Sequence, residues 1–448
     1  MNNSKTCSEA VGRQDRMRSR PEQVSFWSST EYSGFLAGLI RELNASGATA
    51  EQRFQISERS YRSAKSTPAR LLLRFRQYIV YPVQLFAALA SRRLRVYSSS
   101  HQSESGTGTA TQALNLNCND VCVVSTNTFY APLIATYLHP NVVHLVYDLF
   151  PEAMIHSGKW QEGTFKVKVI RWITKQTLQR SKTNVFLGER LKDYVESIHG
   201  PVENAAIIAV GADQALFVRS PKERRTSNVE RSILNEDASI LNSNSELERE
   251  SCPTILYCGN FGNMHDSETL FDYWRSRGSG TPVALTEGGG KRQECCFYFY
   301  CSGPKRAALE SARSELSDVL KDSIHLGGGL SQADWIAVME SADVALVTMS
   351  PGSETVVMPS KTYSAMMAGQ AILAIAPENS DLVDLIKVAD CGWWVEPGDV
   401  AGLEAALDVI DSDPELLLNK RENAFNYAHT HLGQDSLARE WERAFLNL

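Results

Sequence analysis

The chain has 448 residues, of which 43% are hydrophobic and 22% are charged, and its formal net charge is −7. A chain of this length is too long for one core and predicts two or three domains of a soluble globular protein. The negative charge argues against general nucleic-acid binding, and no apolar run approaches the roughly 20 residues of a membrane span.

The N-terminus and the cysteines indicate a cytoplasmic protein. Residues 1–20 are polar, lack the apolar core of a secretion signal and predict a disordered tail. The nine cysteines do not form paired CxxC spacings. Scattered cysteines of this kind are typical of reduced thiols in the cytosol, so a zinc site is not expected.

Residues 21–218 alternate between apolar, strand-like runs and amphipathic, helix-like segments. Helices are predicted over 35–47, 131–138 and 165–180. Strands are predicted at 23–27, 53–57, 121–126, 142–150, 183–188 and 205–213. The alternation predicts an N-terminal Rossmann-like domain, in which helices cover both faces of a mostly parallel sheet.

A second series of the same kind follows a polar segment. Residues 219–252 are charge-mixed and rich in Asn and Ser, which is typical of a linker or surface insertion. Residues 253–432 then predict a C-terminal Rossmann-like domain, and residues 433–448 predict a last helix that packs back on the N-terminal domain. Strands of this domain are predicted at 254–259, 297–303, 323–328, 343–349, 371–376 and 391–399.

The most informative local pattern lies between Met358 and Leu373. A Pro-Ser-Lys turn opens a short predicted helix that Gly369 closes, and an apolar strand follows. Ser360 is placed to cap the helix N-terminus, where backbone N–H groups and the helix dipole favour an anion. Lys361 adds a mobile cation beside it. The pattern predicts a phosphate or diphosphate site, with an ordinary capped helix and a solvated lysine as the alternative.

Several other short segments follow one another in a recognisable order. They are YCGNFGNMHD at 257–266, YCSGP at 300–304 and GWWVEPGD at 392–399, with DLFPE at 148–152 and VGAD at 210–213 in the first half. Together with the Pro-Ser-Lys turn, they resemble segments of family-four glycosyltransferases, which have the GT-B fold. DLFPE is similar to a signature of members that build bacterial polysaccharides.

The resemblance implies an α/β protein of GT-B type, with two Rossmann-like domains whose mostly parallel sheets face a central cleft. It implies sugar transfer from a nucleoside-diphosphate sugar to a glycan acceptor, lipid-linked in related members, with retained configuration and without a metal. The nucleotide sugar is a substrate, so no separate cofactor is expected. Catalysis would use Asp148 and Glu152, for which helix capping is the alternative. The donor would be bound by Gly259, Asn260, Gly262, His265, Ser360, Lys361, Tyr363 and Ser364.

This sequence departs from the family at one motif. The family's Glu-x7-Glu pattern would fall on Val356 and Ser364, and Glu354 is near but out of register. The loss favours an alternative function as a non-catalytic partner subunit of the same fold. A nucleotide-sugar epimerase is a third possibility, but the acid and base residues it needs are not apparent. The Asp-x-Asp triplet ending at Asp413 is explained by a helix cap before Pro414.

A basic, apolar-aromatic segment occupies residues 59–95. No Asp or Glu occurs between Arg59 and Ser103, whereas nine Lys or Arg residues do. Such a segment can lie in the interface of an anionic membrane, and it predicts peripheral attachment at the inner face of the membrane. The alternative is an ordinary buried helix with basic edges.

Overall fold

The computed structural model describes residues 21–31, 35–57, 60, 66–102, 120–226, 252–279, 295–356 and 358–446. The predicted tail at 1–20 lies outside these residues, as does most of the predicted linker. None of the described helices is long and apolar enough to cross a membrane.

The N-terminal domain is built on a six-stranded sheet in the order β2-β1-β3-β4-β5-β6, and every neighbouring pair is parallel. The strands are β1 Gln23–Trp27, β2 Thr49–Arg53, β3 Val121–Ser125, β4 Val142–Val146, β5 Thr183–Phe186 and β6 Ala205–Ile207. All residues of β3, β4 and β5 are buried, because helices cover both faces of the sheet.

The second strand begins and ends earlier than the sequence predicts. It covers Thr49–Arg53 rather than 53–57. The Asn44 side chain both donates to the carbonyl oxygen of Ala50, at 3.1 Å, and accepts from its N–H, at 2.6 Å, which holds the chain in register with the first strand. β2 lies at the sheet edge and is only partly buried, so its sequence lacks the apolar run that marks the central strands.

Helices connect the strands of the N-terminal domain. They are α1 Phe35–Ala45, α2 Thr67–Phe75, a π-helical turn Arg76–Val80, α3 Tyr81–Gln102, α4 Ala131–Leu138, α5 Glu152–His156, α6 Phe165–Arg180 and α7 Glu189–His199. The π-helical turn joins α2 to α3 without a break.

The C-terminal domain repeats the architecture with the strand order β12-β11-β10-β7-β8-β9, again wholly parallel. Its strands are β7 Thr254–Asn260, β8 Cys296–Ser302, β9 Ile324–Gly327, β10 Val344–Thr348, β11 Ala371–Ile375 and β12 Gly392–Val395. The predicted α/β architecture of two parallel Rossmann-like sheets is confirmed.

The remaining helices follow the same alternation and end on the N-terminal domain. They are α8 Pro221–Thr226, α9 Glu268–Ser279, α10 Arg306–Ser314, α11 Asp318–Asp322, α12 Gln332–Ser341, α13 Lys361–Met367, α14 Asp381–Ala389, α15 Val400–Ser412, α16 Pro414–Tyr427, a second π-helical turn Ala428–Leu432 and α17 Gln434–Leu446.

The last helix, α17, lies against α1 of the first domain. Trp441 packs edge-on against Phe26 of β1, with ring centroids 5.6 Å apart. Ser46, just after α1, donates a hydrogen bond to Glu442 at 2.5 Å. The apolar side chains of this contact are buried in a core that continues from one domain into the other.

The chain crosses between the domains twice at nearly the same place. The N–H of Ala212 donates to the carbonyl oxygen of Leu432, at 3.1 Å. Gly211 has a φ of 65°, and a Cβ atom there would stand 2.4 Å from the same oxygen. Only glycine therefore allows the two crossing segments to touch.

The start of the predicted linker belongs to the C-terminal domain. Arg224 on α8 is buried, and its guanidinium donates to the carbonyl oxygens of Glu340, at 2.6 Å, and Ala368. The backbone N–H of Lys222 donates to Glu422 of α16, at 2.7 Å. These contacts fix residues 221–226 as a short helix, which the polar composition of the segment did not indicate.

Candidate functional site

In the C-terminal sheet, the chain adds strands on one side of β7 and then, from β10 onward, on its other side. Read from β9, its order is that of a Rossmann sheet, in which the chain runs outward from the centre in both directions. Ligands of such sheets bind outside the carboxyl ends of the two central strands. Here β7 ends at Asn260 and β10 ends at Thr348, and most of the predicted donor residues surround these two ends.

Glycines shape the loop after β7. Gly259 has a φ of 129°, and a Cβ atom there would lie 4.0 Å from the Cε atom of Lys361, so bare backbone faces the lysine. The Asn260 amide group lies between two other glycines. Cβ atoms at Gly262 and Gly303 would stand 3.1 Å and 2.4 Å from its nitrogen and oxygen. Asn260 thus joins the loops that follow β7 and β8.

His265 ties the glycine loop to the neighbouring strand. Its Nδ1–H donates to the carbonyl oxygen of Thr348, at 2.8 Å. Burial, reinforced by the charge of Lys361, lowers the pKa of His265 to about 3, so the ring is neutral at physiological pH. The Nζ of Lys305 donates to the carbonyl oxygen of His265 and to the Ser267 hydroxyl. The histidine therefore positions the loop as a neutral group.

Lys361 lies at the centre of the site. Its Nζ donates to the Tyr257 hydroxyl, at 2.5 Å, and stands 3.9 Å from the centroid of that ring. The ring is fixed by stacking on Phe299, with centroids 5.8 Å apart. Burial lowers the pKa of Lys361 to about 7, because the charged form loses hydration. The predicted mobile cation is instead a held, buried amine on a half-buried side chain, and an arriving anion would charge it.

The neighbours of Lys361 differ from their predicted roles. The predicted cap at Ser360 is wrong: its backbone is helical, with φ of −57° and ψ of −22°, and its side chain makes no capping hydrogen bond. The Ser360 side chain instead lies close to the Tyr147 hydroxyl of the other domain. Tyr363 is buried in the core, so its ring supports α13 rather than facing a ligand. Ser364, one turn along, is half-buried.

Asp148 lies at the carboxyl end of β4, opposite this site. The Thr126 hydroxyl accepts hydrogen bonds from the N–H groups of Asp148 and Tyr147, both at 3.0 Å. The Asp148 side chain keeps contact with solvent, and the walls of the cleft raise its pKa by reducing the hydration of the carboxylate. Because the preceding residue, Tyr147, lies close to Ser360, the segment that carries Asp148 approaches the turn before Lys361.

Glu152, the second predicted catalytic residue, is buried in an ion pair within the N-terminal domain. Its side chain is 1% exposed, and its Oε1 accepts from the Nε of Arg171 on α6, at 2.7 Å. Arg171 also binds Glu162 through two hydrogen bonds of 2.6 and 3.0 Å. These contacts give Glu152 the structural task of joining α5 to α6, which the sequence could not show because Arg171 is 19 residues away.

The structure also shows what surrounds Val356 and Glu354, in the segment where this sequence departs from the family motif. Val356 is 1% exposed, so an apolar core side chain fills the place of the first family carboxylate. Glu354 is half-buried, and its Oε2 is enclosed with no hydrogen-bond partner among the described residues. The hydroxyl of neighbouring Ser353 donates to the carbonyl oxygen of Met264, at 3.3 Å. The loop that carries Glu354 is thus attached to the glycine loop.

Among the residues that the structure describes, no group of three or more His, Cys, Asp or Glu side chains could hold a metal ion. Asp413 accepts from the N–H of Leu416, at 2.9 Å, with Pro414 at the first helical position. The Asp-x-Asp triplet is therefore a helix cap, as the sequence predicted.

Comparison with known proteins identifies one distant relative in sequence and many similar solved structures. No family model matches the chain. The probable glycosyltransferase WbjE of Pseudomonas aeruginosa is 22% identical over 280 residues, which cover 62% of this chain and 62% of that protein. The match thus spans less than two thirds of the relative's length.

Solved structures extend the similarity to nearly the whole chain. Anabaena Alr3699/HepE in complex with UDP has a TM-score of 0.60 and 13% identity, covering 95% of this chain and 100% of that one. WaaG, a glycosyltransferase involved in lipopolysaccharide biosynthesis, has a TM-score of 0.58 and 14% identity, covering 94% and 98%. The chain has the GT-B fold. The fold implied by the resemblance in sequence is thereby confirmed, and the relative's description agrees with that resemblance.

Two tyrosines of this GT-B protein were missed by sequence reasoning. Tyr257 holds Lys361 although it lies within a predicted strand, and Tyr147 contacts Ser360 across the cleft. Each directly precedes or lies within a segment that carries a family motif, but aromatic residues in strands are usually core. Their roles depend on partners more than 100 residues away, which only the GT-B arrangement brings together.

Proposed function

We propose that this protein is a glycosyltransferase that moves a sugar from a nucleoside-diphosphate sugar to a glycan acceptor. The observation that carries the proposal is the place of Lys361, held against Tyr257 at the switch point of a Rossmann sheet. A diphosphate bound there would meet bare backbone at Gly259 and a cation at Lys361. The probable glycosyltransferase relative and the HepE complexes with UDP and UDP-glucose support this assignment.

Lys361 supplies the positive charge that a departing diphosphate requires. The amine is buried and preorganised, so its interaction with developing negative charge is stronger than in water. Its pKa of about 7 means that donor binding completes its protonation. The step proposed for this residue needs no metal, in keeping with the metal-independent, retaining transfer that the family resemblance implies.

Asp148 orients or deprotonates the acceptor hydroxyl in the proposed reaction. It comes from the acceptor-side domain, and its neighbour Tyr147 lies close to Ser360 of the donor domain. A raised carboxylate pKa makes Asp148 a better proton acceptor once it is ionised. Closure of the cleft would exclude water and so suppress hydrolysis of the donor.

The carboxylate missing from the family motif has a candidate replacement. Glu354 has an enclosed oxygen without a partner in the described part of the chain, and its loop contacts the glycine loop. A donor hydroxyl would satisfy that oxygen. We include Glu354 in the proposed donor site as the acceptor that Val356 cannot provide.

A second candidate function is a non-catalytic partner subunit that retains nucleotide binding. The buried Val356 favours it, because an apolar core residue stands where the family has a carboxylate. The two candidates differ in one measurable property. An enzyme releases a nucleoside diphosphate when an acceptor is added, whereas a partner subunit only binds the nucleotide.

A panel of nucleotide sugars in a thermal-shift assay tests donor binding, and release of nucleoside diphosphate on adding a lipid-linked glycan extract tests transfer. A donor present at 100 times its dissociation constant should add about 2.7 kcal/mol to the free energy of unfolding. Stabilisation by no member of the panel would contradict the donor site. Stabilisation without release of diphosphate from any extract would favour the partner-subunit function.

A further inference from the structure

The helices α2 and α3 leave one apolar face without cover from the described residues. Apart from one adjacent pair, its members recur every three or four positions, so they share one side of the continuous helix. Their side chains are 51–60% exposed, and they are Leu71, Leu72, Phe75, Ile79, Val83 and Phe86. We call this set the exposed stripe.

The opposite face of α3 is fixed to the domain. Tyr81, Leu85 and Leu89 are buried in a core with residues of β1, β3 and α4. In contrast, α2 and the π-helical turn contain no buried residue. The exposed stripe thus continues from a helix that is anchored through α3, and it presents a second apolar face to its surroundings.

Positive charge borders the stripe, and acidic residues are missing from it. Arg70 and Arg74 have exposed side chains on α2, between the members of the stripe. Arg76 donates to the carbonyl oxygen of Gln55, so it serves the π-helical turn. No Asp or Glu occurs between residues 59 and 103, while Arg92 is paired with Asp120. A surface that is apolar and cationic at once is complementary to an anionic bilayer.

The stripe adjoins the acceptor side of the cleft. The Gln77 amide donates to the carbonyl oxygen of Asn127, at 2.8 Å, and the Thr128 hydroxyl donates to the carbonyl oxygen of Gln77, at 3.1 Å. This loop follows β3 directly from Thr126, whose hydroxyl accepts the N–H of Asp148. The π-helical turn in the middle of the stripe therefore contacts the same loop that holds the backbone of Asp148, the proposed acceptor-activating residue.

We infer that the exposed stripe is a membrane-docking surface that lies in the interface of an anionic bilayer, with Arg70 and Arg74 at the headgroups. Docking through this face places the acceptor side of the cleft at the membrane. An acceptor carried on a lipid could then reach Asp148 from the bilayer; this last step rests on the proposed function, whereas docking itself does not.

Vesicle sedimentation with the full chain tests the docking surface. The probes are phosphatidylcholine vesicles, with and without phosphatidylglycerol, and the variant is Leu71→Ser with Phe75→Ser and Ile79→Ser. We expect its partition onto anionic vesicles to fall about tenfold or more, because each exposed apolar side chain contributes to insertion. Arg70→Gln with Arg74→Gln should weaken binding to anionic vesicles and remove the preference over neutral ones. If the triple variant does not fold, Val83→Ser with Phe86→Ser replaces it.

The matched control is Val319→Ser with Val388→Ser, which changes two apolar residues of the C-terminal domain that are 76% and 73% exposed. The control should bind vesicles like the unaltered chain. Equal loss in the control, or no binding of the unaltered chain to either vesicle, would overturn the inference. The inference would also be overturned if the unaltered chain were a dimer and the triple variant a monomer, because the stripe would then be the interface between two copies. Vesicle binding is read without sugar transfer, so failure of the proposed function leaves this test intact.

Discussion

Lys361 combines a function with a cost to stability. Its amine is buried against Tyr257, and the loss of hydration lowers its pKa to about 7. A protein gains nothing in stability from a desolvated cation without an anionic partner. The arrangement becomes favourable when a diphosphate supplies the missing negative charge, which is typical of a binding site.

Replacing Lys361 with methionine should separate binding from stability. Lys361→Met should weaken nucleoside-diphosphate binding by about 1.5–3 kcal/mol, the range for a charged hydrogen bond. The melting temperature without ligand should not fall, because a buried charge is removed. Calorimetric titration and thermal unfolding measure the two effects. Lys387→Met, at an exposed lysine of the same domain, is the control and should change neither. Unchanged affinity in Lys361→Met would contradict the diphosphate site.

The pKa of Lys361 also predicts how affinity depends on pH. Below about pH 7 the amine of the free protein is already charged, so binding takes up no proton there. Above it the amine is neutral, and binding must take up a proton, so affinity should fall by up to about tenfold per pH unit. Titrations at pH 8 in buffers of different ionisation enthalpy would detect the uptake. Lys361→Met should show none.

Asp148 should affect turnover rather than donor affinity. Asp148→Asn removes the proposed proton acceptor, and its effect on turnover should be about 10²–10⁴-fold. In the unaltered enzyme the rate should fall as the pH drops through the raised pKa of Asp148, because the protonated form cannot act as a base. Asp193→Asn, at an exposed position of the same domain, should transfer normally. Normal transfer by Asp148→Asn would leave that residue only a structural role.

Glu354 is the third residue whose environment predicts a contact with the donor. Its enclosed oxygen lacks a partner in the described structure, so Glu354→Gln should reduce the affinity for the full donor by about 1–3 kcal/mol. Ser364→Glu tests the alternative, in which the family's second carboxylate position still faces the ligand. Higher donor affinity in Ser364→Glu, together with no change in Glu354→Gln, would assign the acceptor role to the α13 position instead.

At the scale of elements, the geometry of the site depends on contacts between the loop after β7 and the loop after β8. Gly303, after β8, has a φ of 114°, and a Cβ atom there would stand 2.7 Å from the carbonyl oxygen of Phe261. The N–H of Phe261 in turn donates to the carbonyl oxygen of Ser302, at 2.6 Å. The glycine loop is therefore positioned by its neighbour as well as by its own sequence.

Gly303→Ala should disturb both stability and the donor site. A side chain at this φ is strained, and its Cβ would push the glycine loop away, at a cost of about 1–3 kcal/mol. Donor affinity should fall with it. Gly328→Ala is the control, because its φ is not positive and a Cβ there would meet nothing within 4 Å. Equal melting temperatures for the two variants would contradict this account of the loop.

At the scale of the molecule, polar contacts beside the cleft add to the apolar core that the two domains share. The carboxylate of Asp381 accepts from the N–H of Arg190, at 3.2 Å, and the Arg190 side chain pairs with Asp384, at 3.0 Å. A Cβ atom at Gly188 would stand 2.1 Å from an oxygen of Asp381, so the Asp381 carboxylate lies directly against the backbone of Gly188. Together with the close approach of Tyr147 to Ser360, these contacts hold the two halves of the site together.

The fold was largely readable from the sequence, because its signals are local. The strand at 23–27 and the helix at 165–180 were placed as the structure has them, since buried parallel strands are apolar runs and helices repeat every 3.6 residues. The glycine loop after β7 and the short helix that opens at the Pro-Ser-Lys turn were also predicted, and the strand order then places both at the switch point. The short edge strand β2 was misplaced for the same reason, because it carries little apolar signal.

The tertiary structure alone decided what the individual side chains do. Glu152 is taken by Arg171, Tyr363 is buried, and Lys361 is held by Tyr257, 104 residues away in the chain. The exposure of the stripe on α2 and α3 was likewise open, because an amphipathic pattern does not say which faces find a partner. Periodicity depends on neighbouring residues, whereas burial, pKa and hydrogen-bond partners depend on segments that only folding brings together.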